Sequence, residues 1–231
     1  MMQKLREEVL EANLELVRRG LVLYTFGNAS GIDRDQGLVV IKPSGVSYND
    51  LRPEHMVVTN LDGTIISGHL RPSSDLDTHI LLYKEFPTIG AVVHTHSEFA
   101  TSFAQAGLPI PPLGTTHADY FHGPVPVTNP LTDAAIEGRY VHETGVAIVN
   151  HFKQHNIDPL AVPAVLVAGH APFCWGKTAA DAAHNAVILE AVARMAYRTL
   201  TLRSECEGVS QALLDRHYFR KHGDKATYGQ D

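Results

Sequence analysis

The chain has 231 residues, 44% apolar and 19% charged, enough to bury a sizeable core and too balanced for a disordered, collagen-like or coiled-coil protein. A net charge of −6 argues against a broad nucleic-acid surface, and no run of 18 apolar residues is available to span a membrane. Cys174 and Cys206 offer no disulfide framework, and charges occupy the opening MMQKLREEVL, so a reducing cytoplasm is the expected compartment.

Residues 3–19 read as an amphipathic helix, with Leu5, Val9, Ala12 and Leu16 at helical spacing and Gly20 as a stop. Gly27-Asn28-Ala29-Ser30 reads as a small polar loop. Valine- and isoleucine-rich runs at 38–41, 56–59, 91–93 and 165–167, bounded by Gly, Pro, Asp or Ser, suit strands. The short connector Leu61-Asp62-Gly63-Thr64 favours an antiparallel hairpin. Helices are predicted near 76–86, 98–106 and 142–154. The clearest covers 179–200, opened by a Thr178/Asp181 capping box. No repeat or linker divides the chain, so one domain over 1–231 with mixed strands and helices is expected.

Fourteen histidines against nineteen Lys plus Arg point toward metal or acid–base chemistry. In Val93-His94-Thr95-His96 a strand would place both imidazoles on one face, suited either to a cation or to backbone hydrogen bonds. His170, in Gly169-His170-Ala171-Pro172, follows another strand. Asp75, in Pro72-Ser73-Ser74-Asp75, is either a fourth ligand or the cap of the next helix. Three imidazoles and one carboxylate suit Zn²⁺ better than Mg²⁺ or Ca²⁺. Gly27, Asn28, Ser44, Gly45, Ser73 and Ser74, with Lys42, supply the amides, hydroxyls and cation of a phosphate cradle; ordinary turns with a solvated lysine are the alternative. Asp119 and Tyr228 are candidate proton carriers, although Tyr228 sits where chains commonly fray. The cationic last helix carries Arg216, His217 and Arg220, either as a solvated face or to meet an anionic ligand of a neighbouring subunit. Trp175 reads as core.

These blocks occur in the order Gly27–Ser30, Ile41–Gly45, Pro72–Asp75, Val93–Ser97, Gly114–Tyr120, Gly169–Phe173 and Tyr218–Gln230. Taken together they resemble the class II aldolase/adducin-head family, and within it the sugar-phosphate epimerase branch, along essentially the whole chain. The resemblance implies an α/β/α domain with a central, largely antiparallel sheet, assembled as a cyclic homotetramer. It further implies one divalent metal per subunit (Zn²⁺, Mn²⁺ or Co²⁺) on Asp75, His94, His96 and His170. Phosphate would lie at Gly27, Asn28, Ser44, Gly45, Ser73 and Ser74 with Lys42 close by, and Asp119 and Tyr228 would transfer protons beside Thr115 and His217. The aspartate at 75 replaces the glutamate base of the aldolase cousins. The implied activity is interconversion of L-ribulose 5-phosphate and D-xylulose 5-phosphate by C3–C4 cleavage and re-addition, with no nucleic-acid or membrane partner. Each site would combine Asp119 and the metal of one chain with Tyr228 of the next. A fragment-releasing aldolase and a non-catalytic scaffold are the competing readings. One segment departs from the family pattern: acidic residues are expected near 139 and 141, where this chain has Arg139 and Val141.

Overall fold

Side chains along the short strands alternate between two covered faces, and the sheet they form is seven strands wide. The computed structural model describes residues 2–223, 226 and 227. In chain order the elements are α1 (Gln3–Arg18), β1 (Asn28–Asp33), β2 (Leu38–Ile41), β3 (Val57–Asn60), β4 (Ile65–Ser67), α2 (Leu76–Glu85), β5 (Ala91–His94), α3 (Glu98–Ala106), α4 (Thr115–Ala118), α5 (Asp133–Glu137), α6 (Tyr140–Gln154), β6 (Ala164–Leu166), β7 (Pro172–Gly176), α7 (Ala179–Leu202) and α8 (Gln211–Phe219). The sheet order is β4-β3-β2-β1-β5-β7-β6, and every neighbouring pair is antiparallel.

Val40, Val58, Val93 and Cys174 face a core shared with Val9 and Leu16 of α1, Phe103 of α3 and Leu189 of α7. Their strand neighbours Val39, Val57, Val92, Phe173 and Trp175 face the opposite core, filled by Ile80 of α2 and by Ile148 and Phe152 of α6. Helices on both faces make the expected three-layer α/β/α architecture, and Trp175 is fully buried in it. The capping box at Thr178 and Asp181 forms as read. Among the described residues no helix is long and apolar enough to cross a membrane.

One reading changes. Asn28, Ala29 and Ser30 are the first residues of the central strand β1, not a loop. Their smallness reflects the close approach of α1: a Cβ on Gly31 would meet Leu5 at 2.9 Å and Val9 at 3.0 Å. Such a strand lacks the bulky alternation by which strands are recognised in sequence.

Asn13, fully buried on α1, fastens this strand. Its amide donates to the Val9 carbonyl (2.8 Å) and the Ala29 carbonyl (3.2 Å), and its Oδ1 accepts from the Ala29 N–H (2.9 Å). It thereby serves both polar groups of Ala29 just where the β1–β2 register, starting at Ser30 and Ile41, ends. Asn13→Ala leaves both without that partner and should cost about 2 kcal/mol, or roughly 4–8 °C in melting temperature for a chain of this size. Thermal unfolding followed by circular dichroism checks this; an unchanged melting temperature would contradict the role assigned to Asn13.

Candidate active site

At the end of the sheet, β1, β5 and β7 bring Asn28, His94 and Phe173 into one row. His94 is the last residue of β5, and His96 lies two residues on, past the buried Thr95. His170 projects from the tight β6–β7 turn, where Gly169 adopts φ +68° and the Val167 N–H donates to Ala171 O at 3.0 Å. One ring nitrogen from each of the three histidines lies within 4.8 Å of the others, and among the described residues no other trio of His, Cys or acidic groups converges so. Burial pushes the imidazolium forms of His94, His96 and His170 below their ordinary range, so each ring presents a neutral face.

The donor set fits a divalent metal. His94 Nδ1 lies 2.9 Å from the Pro172 carbonyl, which can only accept, so Nδ1 carries the proton and Nε2 keeps a lone pair. That Nε2 is 3.2 Å from Nε2 of His96. Two ligands of a tetrahedral zinc at ~2.0 Å would stand about 3.3 Å apart. The His94 ring is further fixed by stacking on Phe173, with centroids 4.2 Å apart. Three convergent imidazoles with an open side are the pattern of catalytic rather than structural zinc.

Asp75 shares the cleft but stands outside the close trio. It precedes α2 without capping it through its side chain; instead Oδ2 accepts from the Asn28 amide at 2.7 Å. Burial works against its charge, but the hydrogen bond from Asn28 helps keep the carboxyl below its ordinary range. The Asn28 amide also donates to Ser73 Oγ (3.0 Å), while its own buried Oδ1 has no partner among the described residues.

Lys42 is not the solvated lysine of the alternative reading: it is 2% exposed. Its ammonium donates to the Thr25 carbonyl at 3.2 Å and lies 4.7 Å above the Tyr48 ring. Tyr48 also reaches the carbonyls of Phe26 and Gly27, each at 2.9 Å, bracing the loop before β1. Gly27 has φ +75°, and a Cβ there would come within 2.8 Å of Val22 and 3.0 Å of the His94 carbonyl, so glycine alone fits. The segments carrying Ser44 and Ser73 are laced together, Ser44 N–H to Arg71 O and Ser73 N–H to Lys42 O, both at 2.9 Å. Gly27, Asn28, Lys42, Ser44, Gly45, Ser73, Ser74, Asp75, His94, His96 and His170 thus line one cleft of about 360 Å³, with Thr25 and Phe26 as lining residues that sequence reasoning missed.

Thr115, Asp119 and His217 do not line that cleft. Asp119 and His217 form a second polar group where α4 meets α8, and Thr115 opens α4. The Asp119 carboxylate accepts from Arg220 at 2.9 and 3.1 Å and faces His217 Nδ1 at 3.0 Å and Lys221 Nζ at 3.5 Å. Partial burial would raise its proton affinity, but the hydrogen bonds from Arg220 and His217 prevail and hold it below its ordinary range. Tyr228 lies outside the described residues.

Comparison with known proteins agrees with this geometry. Residues 7–197 match the Class II Aldolase and Adducin N-terminal domain. The chain belongs to that family. It is 49% identical, over 99% of its own length and all of the relative's, to the L-ribulose-5-phosphate 4-epimerase UlaF of Salmonella paratyphi B, and the match to UlaF of Salmonella typhi is equally close. Solved L-fuculose 1-phosphate aldolases share the fold: one superposes with TM-score 0.76 at 22% identity, covering 94% of this chain and 95% of the other. That of Thermus thermophilus gives 0.69 at 23%, covering 88% and 99%. The family is divalent-metal dependent, and the histidine trio could hold such an ion.

Burial lowers the Lys42 ammonium to about 8, with the charge of Asp75 acting in the opposite direction. The cation is therefore present below about pH 8 and lost above it. The ratio kcat/KM for a phosphorylated substrate, which reports free-enzyme ionisations, should fall as pH rises through that value. Lys42→Met should lower kcat/KM and remove this limb; a limb retained unchanged in the variant would contradict the assignment.

Proposed function

We propose that the chain interconverts L-ribulose 5-phosphate and D-xylulose 5-phosphate by opening and re-forming the C3–C4 bond. The observation that carries this reading is the end-to-end match, at 49% identity, to an L-ribulose-5-phosphate 4-epimerase. The chain's cleft pairs three neutral imidazoles with a buried lysine, as a phosphorylated ketose would need. In this reading the whole chain, 1–231, acts as one domain and works in the cytoplasm as a cyclic homotetramer with sites at the subunit interfaces.

C4 is not adjacent to the C2 carbonyl, so its hydrogen is not acidic and deprotonation cannot invert it. Cleavage of C3–C4 leaves a dihydroxyacetone fragment and glycolaldehyde phosphate, whose aldehyde can rotate and be attacked on its other face. A divalent ion on His94, His96, His170 and Asp75, zinc in preference to manganese or cobalt for imidazole donors, supplies Lewis-acid stabilisation of the charge left on the first fragment. Lys42, Asn28, Ser73 and Ser74, with the amides of Gly27, Ser44 and Gly45, grip the phosphate and keep the second fragment from escaping. Asp119, ionised beside Arg220 and His217, is in the form that accepts a proton. It and Tyr228 act on opposite faces of C4, whose oxygen points oppositely in the two epimers, with Thr115 and His217 alongside. The expectation that Asp119 and the metal of one site come from the same chain changes here: because the Asp119 group does not line the cleft of its own chain, we place it at the cleft of a neighbouring copy.

The test mixes two variants, His96→Asn and Asp119→Asn, by dissociating and reassociating subunits, and assays both with L-ribulose 5-phosphate. Each alone should be inactive. If the site is shared, random mixing should restore about a quarter of sites, since each interface draws its two contributors independently. Absence of recovery in verified mixed oligomers would rule out sharing. Free fragments as the sole products of the wild-type protein would replace the epimerase reading with the aldolase one.

A further inference from the structure

The trio of histidines is not held equally. His94 is fixed by the Pro172 carbonyl and by the Phe173 ring. His170 sits on a turn between strands, where backbone alone does little to set its ring plane or its tautomer. Among the described residues, its Nδ1 meets the hydroxyl of Tyr140 at 3.2 Å. The Tyr140 ring lies 5.9 Å from the His170 ring at an interplanar angle of 37°, so it also limits rotation of the imidazole.

We infer that Tyr140 is a positioning residue for the metal ligand His170, its oxygen accepting the Nδ1 proton so that Nε2 presents its lone pair toward His94 and His96. The inference rests on the metal reading of the trio. A neutral imidazole has one N–H, and a proton on Nδ1 is the tautomer that leaves Nε2 free to ligate. The reverse arrangement, with the phenol donating to Nδ1, would put the proton on Nε2 and close that nitrogen to a metal.

The support beneath Tyr140 is rigid. It opens α6, and Thr144 Oγ1 donates back to its carbonyl at 2.9 Å. One residue on, the Val141 carbonyl accepts from Thr78 Oγ1 of α2. Gly145 lets the two helices touch: a Cβ there would meet Leu81 at 3.0 Å and the Thr78 backbone at 3.4 Å. Since α2 begins directly after Asp75, the α2–α6 pair carries both Asp75 and the residue that orients His170. This gives a role to the segment that departs from the family pattern, since Tyr140 lies between Arg139 and Val141.

The test strips the protein of metal, reloads it with zinc in competition with a chromophoric chelator, and compares the parent with Tyr140→Phe. The variant keeps the ring and loses only the acceptor. Loss of such a partner commonly costs 10–100-fold in metal affinity, and at least ~10-fold weaker zinc binding is expected here. The metal-free variant should melt within about a degree of the metal-free parent, and the visible spectrum of the cobalt-loaded variant should shift. Zinc affinity within twofold of the parent would overturn the inference. So would a loss of affinity matched by a loss of metal-free stability, which would assign Tyr140 to helix packing. If the parent itself binds no zinc, the metal reading fails, a result distinct from the other two.

Discussion

The row Asn28–His94–Phe173, set by antiparallel pairing of β1, β5 and β7, is the reference against which the rest of the cleft is placed. Strand register admits no half-steps, so a slip of one residue would turn His94 into a core and bring a valine to the cleft. Gly27 packs against the His94 carbonyl before the row begins, and Asn28 extends from it to Ser73 and Asp75. Asn13 in turn ties the adjacent Ala29 to α1. One end of the sheet thus gathers the three histidines, Asp75 and Lys42 around a single cleft. Sites built on strands hold their geometry better than sites built on loops alone.

Several features of this end work against stability. A lysine buried to 2% exposure loses most of its hydration, recovering among the described residues two carbonyls and a ring face. Asn28 Oδ1 is buried without a partner among the described residues, and three imidazole nitrogens are packed side by side. An ordinary core would exclude each of these. Together they are what a bound phosphate and a divalent ion would satisfy, which is why the cleft reads as a binding site and not as a packing defect.

Much of this was legible in the chain itself. The i, i+2 spacing of His94 and His96 at the end of a valine run gave the shared face, and the apolar run before His170 marked the strand end that delivers it. The capping box at Thr178 gave the start of α7 to the residue. Other features left no pattern to read. Strand β1 was hidden because α1 lies too close for side chains larger than those of Gly31 and Ala29 to fit. The burial of Lys42 depends on Tyr48 and Thr25, distant in pattern though not in sequence. Whether Asp75 capped α2 or faced the cleft turned on Asn28, some 47 residues away. Tyr140 matters only through His170, thirty residues on, a pairing no local spacing signals.

In the proposed reaction the cleft inverts a carbon by breaking its bond to the neighbouring carbon and not by removing its hydrogen. The most direct test converts L-ribulose 5-phosphate with the zinc-loaded protein in deuterated water and examines the D-xylulose 5-phosphate formed by proton NMR. Bond cleavage leaves the aldehyde hydrogen in place throughout, so the product should retain protium at C4. Deuterium at C4 of the product would contradict the account.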